Sequence, residues 1–256
     1  MIALFALGSI VVIIIAVAVS AAQKRAAEAR MAALAQIAAQ EGLDYHPHGL
    51  AEQARGFWEG LFTSFSDTNV GRFLTRFDGF TPFGQGHSWS LSNLLVGRED
   101  NADWYVFDYL YKTTHSTGKS TTTVPHPTGV IAVRLPLSLP RLTMSPENVF
   151  SKIGNFLGMD ELDFELEEFN KRYFVRCNDR KIAYDLLHPR MIDFLMQCPP
   201  RSWQIAGQYV VLTRNNYYDP EEIVELIEEV RKFISLIPKY VEQDRALPAM
   251  YATPLD

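Results

Sequence analysis

Cysteine is nearly absent from this chain. The two present, Cys177 and Cys198, form no spaced framework in 256 residues. That excludes a disulfide-built scaffold. It leaves two readings, a pair of free thiols in a reducing compartment or one lone bridge. A basic excess is also lacking. With 24 Lys and Arg against 30 Asp and Glu, the net charge is -6, which argues against a nucleic-acid binder. There is no internal repeat and no low-complexity tract. No Gly-x-Ser-x-Gly elbow occurs, which removes the sequence signal for a serine hydrolase.

Several remaining motifs fail on spacing or context. Gly118-Lys119-Ser120 resembles the end of a phosphate loop, but the glycine that should precede it by five residues is Thr113. The Thr121–Val124 run that follows reads as extended chain, whereas the motif needs a helix. A hairpin tip at Gly118 is the better reading. His46 and His48 flank Pro47 in a turn, with no nearby acid or thiol to complete a metal site. The acidic residues from Asp160 to Glu168 are interleaved with Leu162, Phe164 and Leu166, as on an alternating edge or a solvated helix face. Cys177 and His188 could approach in space, although a buried structural thiol is the simpler reading. No catalytic, cofactor-binding or metal-ligating residue is assigned, and no cofactor.

Charge is missing from one more place, the run Ile2–Ala22. About 20 apolar residues, at about 1.5 Å each, cross a hydrocarbon core of about 30 Å. The run therefore predicts a transmembrane helix over residues 1–22, with the lipid bilayer as its partner. A cleaved signal peptide is the competing reading, but no positive region precedes the run. Lys24, Arg25 and Arg30 follow it directly. The positive-inside rule then places the rest of the chain on the cytoplasmic side of a single-pass protein in the cell membrane.

Residues 23–44 are rich in Ala, Glu, Gln and Arg and predict a helical stalk ending at Gly42. Leu34, Ile37 and Ala38, with Met31 a turn earlier, form a stripe. It suits either a second stalk, giving a homo-oligomer or a protein partner, or the chain's own domain.

Residues 45–238 predict one α+β domain, a largely antiparallel sheet packed by helices. Strands are expected over Gly71–Phe80, His87–Val96, Trp104–Tyr111, Ser120–Val124 and Val130–Leu135, as a meander. Ser145-Pro146-Glu147 reads as a helix start. Short strands are expected at Phe164–Leu166 and Tyr173–Cys177, followed by a helix that Pro189 interrupts. Trp203–Ala206 and Tyr209–Thr213 read as a hairpin turned at Gly207. Asp219-Pro220-Glu221-Glu222 opens a helix whose Ile223, Leu226, Ile227, Val230, Ile234 and Ile237 make one apolar face. Residues 239–256 read as a flexible tail.

The order of these segments is familiar. Phe107-Asp108-Tyr109 precedes a polar hairpin, Leu135-Pro136-Leu137 leads to Ser145-Pro146-Glu147, and Phe169, Tyr173, Val175 and Asp179 precede Leu186-Leu187-His188-Pro189. Over roughly Tyr45–Ile237 the chain resembles uncharacterised bacterial membrane-anchored proteins with a domain of unknown function. The resemblance implies one domain on a membrane segment, and no reaction.

Two functional expectations follow, beside a third, direct contact with lipid head groups, which needs a basic face near the stalk where Lys24, Arg25 and Arg30 offer only a modest one. One is a non-enzymatic, membrane-tethered interaction or scaffold module, since tethering raises effective concentration near other membrane components. The alternative is a small-ligand-binding domain or an enzyme of unrecognised type near the membrane. That requires a pocket where Asp108, His115, His126 or Asp179 converge.

Overall fold

A computed structural model describes residues 2–49, 70–118, 120–146 and 158–248, with side chains from residue 19 onward. The first helix, α1 (Ile2–Glu41), is continuous from the apolar run into the stalk. No proline or glycine falls between Ser9 and Glu41 to break it. Gly42 follows at φ 68, the left-handed conformation that ends helices cheaply. Most of the expected transmembrane run lies outside the residues whose side chains are described. Among the described residues no helix is long and apolar enough to cross a membrane.

Among the described residues seven strands form one sheet: β1 (Asp44–His46), β2 (His87–Glu99), β3 (Ala102–Ser116), β4 (Thr121–Pro146), β5 (Asp160–Leu162), β6 (Tyr173–Cys177) and β7 (Ser202–Asn215). The order is β1-β2-β3-β4-β6-β5, with β7 also paired to β4, and the ladders are antiparallel. Short helices α2 (Glu167–Arg172), α3 (Arg180–Leu186) and α4 (Pro189–Gln197) connect β6 to its neighbours. The long helix α5 (Pro220–Ser235) and short α6 (Lys239–Arg245) are the last described elements. The fold is thus α+β, a large antiparallel sheet packed by helices.

Several expected boundaries move, each for a local reason. Residues 70–74 form a helical turn, and Thr75–Phe77 a 3-10 turn, where a strand was expected. Phe73 and Phe77 are the pair that matters. Four residues apart, they share a helix side and both are buried, while Thr75 faces solvent. The two strands expected before and after Pro125 are one strand, β4. Its middle carries Pro136 and Pro140, and the register with β7 shifts on either side of Leu139. Proline gives no N–H to a ladder, so the strand bends there without ending. Gly207, opposite Leu139, has φ 55 and is a bulge in one continuous β7, not a hairpin turn.

Ser145 and Pro146 close β4 against Phe174 and Tyr173, so no helix starts at Ser145. The helix expected beyond them falls on residues 147–157, outside the described residues. Phe164–Leu166 is not a strand; the strand is Asp160–Leu162, one turn earlier. The segment after Pro238, expected to be a flexible tail, continues as α6. Val241 is 1% exposed, Ala246 bridges Leu137, and Leu247 N–H donates to Pro136 O at 2.9 Å.

Two apolar layers flank the sheet. On one face α1, α3, α4 and α5 cover Leu95, Trp104, Val106, Ile131 and Val133. Leu34, Ile37 and Ala38 are buried in this layer, 1%, 7% and 1% exposed. The stalk stripe thus packs on the chain's own domain. Each such side chain contributes about 1.5–3 kcal/mol by burial, less for alanine. On the other face Phe73, Phe77, Phe80 and Phe83 sit edge-on or tilted against Tyr105, Phe107, Tyr109 and Tyr209.

Candidate functional site

Alternation along β3 decides what each expected site residue can reach. Asp108 shares the helix-covered face with Trp104 and Val106, whereas Tyr109, Tyr111 and Thr113 point to the other. A carboxylate within an aromatic strand needs partners. Asp108 finds three donor groups. Arg30 reaches both oxygens, at 3.0–3.3 Å, and Asn93 Nδ2 donates at 2.8 Å. Burial pushes the Asp108 carboxyl above its ordinary range, against the pull of Asn93 and Arg30. Arg30 also donates to Tyr218 O at 2.7 Å and lies over the Tyr217 ring. This ion pair is the polar seam between α1 and the sheet.

Asp179 lies elsewhere. Its side chain caps α3, accepting from Ile182 N–H at 3.2 Å, and pairs with Arg245 of α6 at 3.3 Å. Cys177 and His188 do not pair. Cys177 Sγ donates to Asp179 O at 3.2 Å. His188 caps α4, with Met191 N–H on Nδ1 at 3.4 Å and Nε2 on Leu236 O at 2.9 Å. Both cysteines are free. Burial pushes the Cys198 thiol up to about 11, with Glu229 adding to the rise.

His115 and His126 are brought together. Both line a groove of about 700 Å³ on the aromatic face of the sheet. His126 stacks on Tyr111, with centroids 4.7 Å apart and planes 16° apart, and its Nε2 is 2.8 Å from Thr113 Oγ1. His115 Nε2 reaches the same hydroxyl at 3.5 Å. The groove exists because β4 and β7 bend, so residues near Thr128 and Pro146 face one another across it.

Its floor is polar yet buried. Thr128 and Gln204 are each 3% exposed. Gln204 holds Thr81 by both backbone groups, accepting from N–H at 2.8 Å and donating to C=O at 2.7 Å. The amide thus acts as a missing strand for the 70–85 segment. Arg201 and Arg214 form a further wall. Arg201 Nε donates to Glu229 at 2.8 Å, and Arg214 to Glu222 at 2.8–3.0 Å and to Tyr217 O at 2.6 Å. Burial raises the Glu229 carboxyl although Arg201 opposes it. Among the described residues no carboxylate lines the groove. The lining offers hydroxyl, amide, imidazole and guanidinium groups around one tyrosine face. That set suits a neutral polar or anionic ligand.

Sequence reasoning missed Arg30, Gln204 and Arg214. A signal existed for the first: an aspartate amid aromatic strand residues must have a cation nearby. Gln204 and Arg214 carry no such mark.

No protein-family model and no curated protein matches the chain. Among solved structures the fold is similar to a crystal structure of the mycobacterial trehalose monomycolate transport factor A. The TM-score is 0.50 at 12% identity, over 82% of this chain and 96% of that one. At that identity the likeness concerns the fold alone.

Proposed function

We propose that this protein is a single-pass membrane protein whose cytoplasmic α+β domain is a non-enzymatic interaction module serving a lipid-related process. The observation that carries the reading is the continuity of α1. An uncharged run of bilayer length passes without a break into a helix buried in the domain's own core. The domain is thereby mounted at a set orientation, not hung on a linker. Two of the four titratable groups expected at a pocket support the same reading, since Asp108 and Asp179 are engaged in holding elements together, while His115 and His126 meet at the groove. The lipid element rests on the fold's likeness to a protein titled a trehalose monomycolate transport factor. The resemblance to bacterial membrane-anchored proteins points the same way.

Orientation rests on Lys24 and Arg25, with Arg30 now paired to Asp108. Protease treatment of right-side-out spheroplasts, with a tag at Asp256, tests it. Protection until the membrane is opened is the expected result. Digestion in intact spheroplasts would reverse the topology.

The groove favours a second reading, a small-ligand binder. Native mass spectrometry of the purified chain checks it: a bound polar small molecule that is lost on Gln204→Ala supports it, and a bare wild-type mass counts against it.

A further inference from the structure

The direction of α1 relative to β3 can be read from their contacts. Arg30 meets Asp108, while Glu41 pairs with Arg231, whose guanidinium lies over Trp104. From Arg30 to Glu41 a helix advances about 16 Å, and from Asp108 to Trp104 a strand covers about 13 Å. The two elements therefore run nearly antiparallel, and β3 beyond Asp108 heads back along α1 toward its apolar end. From Arg30 to Ala22 is about 12 Å of helix, the length of about four strand residues. Lys112 thus lies level with Ala22, and the rest of the β3–β4 hairpin reaches past it.

That end of the sheet has its own character. His87 is the last β2 residue to pair with β3, opposite Lys112. Beyond it the β3–β4 hairpin continues as a two-stranded ribbon to Ser116 and Thr121. Residues 114–118 and 120–125 are exposed on both faces. Such a ribbon gains little from water alone. Trp89 stands beside it 48% exposed, and Val124 is 37% exposed. No acidic residue occurs between Asp78 and Glu99, nor between Asp108 and Glu147, in a chain with 30 Asp and Glu. Trp at the boundary, basic residues level with it and hydroxyls beyond match the composition of a bilayer interface.

We propose that the β3–β4 ribbon, with Trp89 and Lys112, docks on the lipid headgroup surface of the membrane that α1 enters. This rests on the transmembrane reading of residues 1–22. A ribbon that overshoots the boundary must lean over, which the strong twist of two-stranded ribbons favours. Docking gives the domain a second footing, so that it lies against the bilayer.

The test uses the full chain in vesicles containing anionic lipid, with single bimane labels. The native thiols interfere little, since Cys177 is buried and burial holds the Cys198 thiol up at about 11. Ser116→Cys reports the ribbon, Lys239→Cys the distant α6, and Ile14→Cys the span. Expected is loss of emission at position 116, but not at 239, when headgroup-nitroxide lipid is included. Lys112→Glu with Trp89→Ser should restore it, with near-ultraviolet circular dichroism unchanged. Quenching at 14 by acyl-chain nitroxide together with full emission at 116 overturns docking and leaves the span standing. Absence of quenching at 14 overturns the span itself.

Discussion

Asp108 shows how a single residue commits the chain. Its neighbours are aromatic, so an ionised carboxylate there costs stability unless Arg30 and Asn93 meet it. Arg30→Ala should destabilise the domain by roughly 2–4 kcal/mol, because a buried charge loses its partner. Asp108→Asn should cost less, since burial already pushes that carboxyl toward its neutral form. Urea unfolding of the two variants in detergent checks the ranking. Glu222 behaves oppositely. Burial would raise its carboxyl, but the Asp219 N–H and Arg214 outweigh burial and lower it. A carboxylate with a lowered folded value contributes stability above its unfolded value and loses it as pH falls through the folded one. Glu222→Gln should therefore cost up to about 1 kcal/mol at neutral pH, the side chain being partly exposed. The difference from wild type should shrink as pH falls below the ordinary glutamate value of about 4.3 and vanish below the lowered folded value. Thermal unfolding across pH 3–7 measures it; a constant difference would refute the assignment.

Among the elements, legibility followed the strength of the local signal. The helix α5 was readable to its first residue, because Asp219 and Glu222 form a capping box and Pro220 opens the helix. The hairpin tip at Gly118 was equally plain, with φ 79 and Thr117 N–H donating to Ser120 O. The bend in β4 was not. Pro136 and Pro140 look like strand ends until β7 is present to pair on either side of them, and that partner arrives some seventy residues later. The groove depends on that same bend, so neither it nor the meeting of His115 with His126 could be read from spacing. Only the shared parity of His115 with Tyr111 along β3 was available. Gly129 is another such position. A Cβ there would stand 2.5 Å from the Tyr218 ring and 2.9 Å from its backbone nitrogen. Gly129→Ala should therefore cost about 1–3 kcal/mol, displacing Tyr218 from beside α5. A lowered unfolding midpoint with an unchanged urea slope is the expected signature.

For the molecule as a whole, the outline of helix, then sheet, then helix was legible from hydrophobic spacing, turn residues and helix-start signals. What the stalk stripe touches was not, since an apolar stripe fits a foreign helix as well as its own sheet. The structure buries Leu34 and Ile37 internally. Leu34→Ala should then destabilise the monomeric domain by about 2–4 kcal/mol, with a midpoint independent of protein concentration. A concentration-dependent midpoint would instead mark the stripe as a seam between copies.

The unbroken backbone of α1 has a mechanical consequence. Between Val19 and Ala29 the helix stands clear of the domain, every side chain exposed, and from Arg30 onward it is locked into the core. With neither glycine nor proline in that interval, the helix acts as an axle with no joint. Any torsion applied to its apolar end turns the sheet and the groove by the same angle. Two glycines inserted after Ala26 would cut that transmission while leaving both ends folded.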